Sequence, residues 1–198
     1  MNTNNKPKTI LLVGPPGSGK GTQADFLKEE LKDREVLYLY TGDRFRSLLD
    51  EEKTLTTQLL KKEILDAGEL APTFLSTWAW SAALVHRLSD EQHLIFDGSP
   101  RTAIEAYILD SALTFYHRTD AKLIVIDVPE ELITERLLGR GRHDDTAEVI
   151  AERFRLYTEN VEEIMNRVDT NASAITLHKI DGTGTPEEVF ARIKEVIS

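Results

Sequence analysis

The 198-residue chain has no cysteine, which removes disulfide frameworks, thiolate zinc centres, iron–sulfur clusters and cysteine nucleophiles at once. Zinc is therefore not an expected cofactor. A chain of this length buries roughly 70% of its unfolded surface and needs no such staple to fold. Long apolar runs are missing too. Ile10 to Val13 is too short for a secretory core, and the polar start from Met1 to Lys8 carries no targeting pattern. The longest uncharged stretch, Leu70 to Val85, is interrupted by Pro72, Thr73, Ser76, Thr77 and Ser81 and falls short of the roughly 20 apolar residues of a membrane span. A cytoplasmic location is the expectation. Positive charge is scarce: 24 Lys and Arg against 34 Asp and Glu give a net charge of −10, which disfavours nucleic acid and anionic membrane as partners. The five histidines, at 86, 93, 117, 143 and 178, show no ligand-like spacing.

What is present is an ordinary globular composition, 40% hydrophobic and 29% charged, which excludes a disordered or low-complexity chain. Short apolar runs bounded by Gly, Pro or Asp predict strands at Thr9–Val13, Val36–Tyr40, Leu94–Asp97, Leu123–Val128 and Ala174–Ile180. Longer amphipathic stretches predict helices at Lys20–Lys32, Asp43–Asp50, Leu55–Asp66, Pro72–Leu88, Thr102–Tyr116, Glu130–Leu138, Thr146–Val168 and Pro186–Ile197. Strands alternating with helices imply a five-stranded parallel sheet covered on both faces, a three-layer α/β/α architecture. Ile150, Phe154, Tyr157, Val161, Ile164 and Val168 recur every three or four residues, with Asp145 expected to cap that helix. The helices between 43 and 88 exceed what one crossover needs and read as an inserted subdomain. Trp78 and Trp80 fall on opposite sides of one of them, and packing is the expected role of each.

The sharpest motif is Gly14-Pro15-Pro16-Gly17-Ser18-Gly19-Lys20-Gly21-Thr22, directly after an apolar strand and before a helix. Its glycines allow backbone N–H groups to turn inward on an anion, the next helix presents its positive end, and Lys20 adds a mobile cation for the outer phosphates. A nucleoside triphosphate is the natural guest. Gly21 stands where Ser or Thr usually follows the lysine, and Thr22 comes one residue later. Many protein classes bind phosphate through such a P-loop, so the motif alone does not choose a reaction.

A second apolar strand ends in Asp97, where a carboxylate beside a P-loop can hold Mg²⁺ through water. A turn Asp before Gly98 is the simpler alternative. Between residues 136 and 155 there are five arginines and no lysine in an otherwise acidic chain. The planar guanidinium fork suits bidentate phosphate binding, so the cluster points to a highly anionic ligand. Arg155, outside any motif, reads instead as a solvated residue paired with acidic neighbours.

The loop Gly14 to Gln23, Thr41-Gly42-Asp43-Arg44-Phe45-Arg46, Gly68-Glu69-Leu70-Ala71-Pro72, Asp97-Gly98-Ser99-Pro100-Arg101 and Arg136-Leu137-Leu138-Gly139-Arg140-Gly141-Arg142-His143-Asp144-Asp145 with Arg153 follow one another along nearly the whole chain. Together they resemble the adenylate kinase family of nucleoside monophosphate kinases, in which Gly-Thr follows the loop lysine. The resemblance implies a P-loop fold with a core at 8–41, 89–138 and 146–198, a helical NMP-binding insertion at 42–88, and a very short lid at 139–145 without room for zinc. It implies reversible transfer from Mg-ATP to AMP, giving two ADP, by a monomer. Residues Gly14 to Thr22 with Arg136 and Arg140 would bind ATP. Thr41, Gly42, Arg46, Leu70, Ala71, Gly98, Arg101, Glu105, Arg142 and Arg153 would bind AMP. Lys20, Arg101, Arg140, Arg142 and Arg153 would surround the transferring group, and Asp97 would serve the metal.

The chain departs from the family pattern at three places, the last of them, Glu163, without functional meaning. Adenine-specific members carry Gln four residues after the arginine of the Asp-Gly-x-Pro-Arg segment, where this chain has Glu105. An ionised carboxylate only accepts hydrogen bonds and would suit guanine better, so a kinase with another acceptor base (GMP, UMP or CMP) stays open. Glu105 could equally pair with Arg101 one helical turn away. Ser99 replaces an aromatic residue before Pro100, where the family has a cis peptide, and Glu163 replaces a proline, leaving the helix uninterrupted. A nucleotide switch without phosphoryl transfer would explain the loop and Asp97, but not Arg46, Arg101 or the arginine-rich segment.

Overall fold

The computed structural model describes residues 6–51, 53–140, 146–168 and 173–198, with residues 138–140 described by their backbone alone. Five strands form one all-parallel sheet: β1 (Thr9–Val13), β2 (Val36–Tyr40), β3 (His93–Asp97), β4 (Ala121–Asp127) and β5 (Ile175–Asp181) in the order β2-β3-β1-β4-β5. The first two expected strands match residue for residue. The others shift by one or two residues at their ends, because the ladder and not the apolar run sets the limits: pairing of Ala121 with Ile175 and of Asp127 with Asp181 bounds β4 and β5. β1 and β3 are buried along their whole length, as strands covered on both faces must be.

Helices α1 (Lys20–Glu30), α6 (Glu130–Arg140) and α8 (Pro186–Ile197) cover one face of the sheet. Leu27, Ile133, Leu137 and Ile193 pack there against Ile10, Leu12 and Ile95. On the other face, α4 (Thr73–Arg87), α5 (Ala103–Phe115) and α7 (Ala147–Val168) bring Trp80, Leu84, Leu109, Leu113 and Ile164 onto Leu11, Val13 and Phe96. Each such side chain contributes about 1.5–3 kcal/mol by leaving water. Trp80 meets Phe96 edge-on at 5.9 Å, while Trp78 stays partly exposed under the Arg44 guanidinium. A third apolar cluster, Phe45, Leu48, Leu60, Leu75 and Ala79, joins α2 (Thr41–Glu51) to α4.

Local chemistry explains most helix ends. Thr185 and Glu188 form a reciprocal capping box with Pro186 in the first turn of α8, and the Thr102 hydroxyl accepts from the Glu105 N–H at the start of α5. One expectation, the Asp145 cap, falls outside the described residues, and another needs correction. The start of α7 is capped by Thr146, whose hydroxyl accepts from the Val149 N–H at 3.3 Å. The helix expected over Leu55–Asp66 divides into α3 (Leu55–Leu59) and a π-helical turn, Leu60–Leu65. There the Asp66 N–H reaches back five residues to the Lys61 carbonyl, and the wider turn buries Leu60 while Leu65 faces the cleft described below. The α7 stripe is as expected, with Ile150, Ile164 and Val168 buried and no break at Glu163. No helix of the described residues is long and apolar enough to cross a membrane.

The chain leaves β1 toward β2 and leaves β3 toward β4, so the connections diverge where those adjacent strands end. A crevice opens at such a switch point in an open α/β sheet. Leu12, Tyr40 and Asp97 stand level there across β1, β2 and β3.

Candidate functional site

The crevice is a cleft of about 940 Å³, near the upper end of ligand-site volumes. Its floor is the glycine-rich loop between β1 and α1. Gly17 and Gly19 hold φ of 77° and 91°, in the left-handed region that favours glycine. Lys20 Nζ curls back onto its own loop, donating to the Gly14 and Pro15 carbonyls at 2.8 Å each and to Ser18 Oγ at 3.3 Å. The ammonium thus already occupies the concave side of the loop, where a phosphate would replace its backbone acceptors. Pro16, Gly21 and Thr22 complete the wall, while Pro15 is buried behind it.

Facing the loop is the turn after β3. A methyl group at Gly98 would lie 3.4 Å from Arg101 Nη2 and 4.0 Å from Lys20 Cε, so the two cations flank one turn. Arg101 Nε donates to the Gly98 carbonyl at 2.8 Å, and the Ser99–Pro100 peptide is cis, as the resemblance implied. Asp97 is 4% exposed and accepts a 2.7 Å hydrogen bond from the Tyr38 hydroxyl on Oδ2. Burial, and then the adjacent Asp97 carboxylate, push the Tyr38 phenol far above its ordinary range, so it remains a donor.

A buried carboxylate held by one hydroxyl can still accept from further partners, and the Lys20 and Arg101 cations flank the neighbouring Gly98. Among the described residues no three His, Cys, Asp or Glu side chains gather into a metal cage. A single carboxylate beside a phosphate cradle fits Mg²⁺, which keeps several waters and takes most remaining ligands from substrate phosphates.

Other expected residues collect around this centre. Gly42, Arg46, Leu70, Arg136 and Arg153 all line the cleft. Arg46 pairs with Asp43 at 3.2 Å and lies 5.9 Å from the Tyr40 ring centre, and Arg153 Nη2 is 3.4 Å from the Leu65 carbonyl. Thr41 is buried one layer back, its hydroxyl 2.9 Å from Ser99 Oγ, and Ala71 packs against the third apolar cluster. Of the lid expected at 139–145, the backbone of Gly139 and Arg140 continues α6, while the Arg140 side chain and residues 141–145, Arg142 and Asp144 among them, lie outside the described residues. Arg155 forms ion pairs with Glu152 and Glu159, the solvated-face role expected of it.

Glu105 is not brought to the cleft. It is 1% exposed, with Oε1 accepting from the Trp80 indole N–H at 3.0 Å and Oε2 from the Arg101 backbone N–H at 2.8 Å. Burial raises its pKa above the ordinary carboxylate value, opposed first by the bond from the Arg101 backbone. The expected neighbour is right and the contact differs: Arg101 reaches Glu105 through its peptide N–H.

Sequence reasoning passed over two tyrosines. Leu37 and Leu39 of β2 turn into the core, and the alternate positions put Tyr38 and Tyr40 on the cleft wall. The period-two pattern of Val36–Tyr40 contained that signal.

The adenylate kinase family model matches residues 12–173. An adenylate kinase of Leuconostoc mesenteroides is 36% identical over 190 residues, covering 96% of this chain and 97% of that protein. One from Mycolicibacterium vanbaalenii is 38% identical over 186 residues, covering 92% and 95% respectively. One from Thermus thermophilus is 33% identical over 194 residues, covering 96% and 97%.

Proposed function

Because the chain belongs to the adenylate kinase family, we propose that it transfers the γ-phosphoryl group of ATP reversibly to AMP, giving two ADP. The observation that carries this reading is the meeting of two strand ends: Lys20 from the glycine-rich loop and Arg101 from the turn after β3 flank Gly98, beside buried Asp97.

The chemistry asks little of acid–base groups. A nucleoside monophosphate has a second pKa of about 6, so its attacking oxygen is ionised near neutrality. The difficulty is bringing two polyanions together in a site that excludes water, and fixed cations address it. Lys20, on giving up the Gly14 and Pro15 carbonyls, would reach the β- and γ-phosphates above the loop. Arg46 and Arg101 would hold the acceptor phosphate from the opposite wall. Arg136 and Arg153 approach from α6 and α7, and the resemblance adds Arg140 and Arg142. Asp97 would hold Mg²⁺ through water, and the cation would there supply charge neutralisation for the substrate phosphates.

The case for guanine as acceptor rested on Glu105 facing the base. Its two oxygens are instead engaged by Trp80 and Arg101, which removes that motive. The proposal takes the working unit to be one cytoplasmic chain acting on free nucleotides, without zinc or nucleic acid.

The test is a panel of ATP with AMP, GMP, UMP or CMP, with products separated and quantified. AMP should give two ADP. Lys20→Ala should lower turnover by about 10²–10³-fold, the scale of losing one preorganised charge contact, while its thermal midpoint stays near the parent value. ATP hydrolysis indifferent to every added monophosphate would instead identify a nucleotide switch, and preference for another monophosphate would reassign the acceptor.

A further inference from the structure

The edge strand β2 reads Val36-Leu37-Tyr38-Leu39-Tyr40, and its alternation separates two jobs. Leu37 and Leu39 are buried in the core beneath α4 and α5. Tyr38 points the other way, beside α1 and toward the cleft, and pairs across the ladder with Ile95. Asp97 lies two residues further along β3, within reach of a phenol. The Tyr38 hydroxyl bridges that offset and donates to Asp97 Oδ2 at 2.7 Å, a short bond of the kind made by O–H to an anion.

The ring is held in turn. Lys28 Nζ, on α1, sits 3.7 Å from the Tyr38 ring centroid and 2.9 Å from Asp25. A cation over the π-face favours this ring placement. The hydroxyl is thereby aimed by two elements, a strand beneath and a helix beside it, and the carboxylate has one oxygen fixed by a donor that carries no charge.

We propose that Tyr38 is a positioning residue for the metal: by holding Oδ2 it fixes the Asp97 carboxylate so that the other oxygen accepts from the water shell of a nucleotide-bound Mg²⁺. This rests on the reading of Asp97 given above and adds a residue that no P-loop motif contains. The physical reason is the usual one for carboxylates that serve metals, whose orientation depends on an outer hydrogen bond. An uncharged donor suits the task because it orients the carboxylate without neutralising it. Lysine or arginine in the same place would compete with the cation.

The readout is the preference for metal-loaded nucleotide, measured without turnover. Calorimetric titration of the full chain with β,γ-imido-ATP, once in Mg²⁺ and once in EDTA, gives the ratio of the two affinities. Asp97→Asn sets the ratio that remains when the charged carboxylate is removed. Tyr38→Phe should lower the parent ratio by about tenfold, toward that of Asp97→Asn, the low end for removing an outer-shell partner. Its affinity in EDTA should stay within about twofold of the parent, which a merely structural loss would not allow. A Tyr38→Phe ratio equal to that of the parent overturns the inference and leaves the nucleotide site intact. A parent ratio near unity removes the Asp97 metal assignment, and this inference with it.

Discussion

Trp80 donates its indole N–H to Glu105 Oε1 at 3.0 Å, and the two side chains are 2% and 1% exposed. The bond ties α4 to the start of α5, where Glu105 also accepts the Arg101 backbone N–H. The Arg101 turn is therefore fastened from behind by a carboxylate with both oxygens engaged. An amide has one oxygen and would turn its NH₂ toward one of the two donors. We expect Trp80→Phe and Glu105→Gln to couple in a double-mutant cycle of urea denaturation by about 0.5–3 kcal/mol, as contacting residues do. Additive effects would show that the bond contributes nothing. The ranking of acceptor nucleotides should be unchanged by Glu105→Gln, since the side chain is withdrawn from the cleft.

His93, at the start of β3, is almost wholly buried, with Nδ1 accepting the Lys8 N–H at 2.8 Å and Nε2 3.3 Å from Asp33 Oδ1. Burial lowers its pKa below the ordinary 6.5; the Asp33 carboxylate opposes the shift, while Arg34 and Lys8 add to it. A depressed folded-state pKa means that the group's contribution to stability is full above the unfolded value and is lost as pH falls through the folded one. Protonation also removes the acceptor used by Lys8. Urea stability should fall as pH drops below about 6.5, with His93 adding at most about 1.4 kcal/mol per pH unit to the slope. His93→Asn, whose Oδ1 can accept in place of Nδ1, should flatten that part of the profile. A variant slope identical to the parent's would remove His93 as its source.

The parts of this molecule that were legible from sequence are those whose cause is local. The Thr9–Val13 strand, the glycine-rich loop and the helix beginning at Lys20 follow one another within about twenty residues, and each needs only its own pattern to be read. Arg136 and Arg153 stood out as part of an arginine cluster in an acidic chain, whereas Arg46 and Arg101 were marked only by the family resemblance; all four line the cleft. What escaped depends on partners distant in sequence. Tyr38 meets Asp97 across 59 residues and Trp80 meets Glu105 across 25, and neither pairing follows from spacing. Glu105 was assigned to the nucleotide because its position resembles that of a base-reading amide, yet a buried indole and a peptide N–H claimed it first. The π-helical turn at Leu60–Leu65 was hidden for a similar reason, since Leu60 belongs to a cluster with Phe45 and Leu75 that only tertiary packing assembles.

The two left-handed glycines of the phosphate loop are constrained by different things, and alanine separates them. At Gly19, φ is 91° and an added Cβ would meet nothing within 4 Å, so Gly19→Ala costs backbone strain alone, about 1–2 kcal/mol. At Gly17, φ is 77° and the same Cβ would lie 2.9 Å from Leu137 Cγ and 3.2 Å from the Ile133 carbonyl, both on α6. The strain recurs and a collision is added, which the loop can relieve only by moving away from α6. Such overpacking adds about another 1–3 kcal/mol. Gly17→Ala should therefore have the lower urea midpoint of the two. Leu137→Ala, a core truncation, should destabilise both backgrounds, but less in Gly17→Ala than in Gly19→Ala, because there it also vacates the nearest contact. Equal midpoints for the two glycine variants would mean that α6 does not confine the loop.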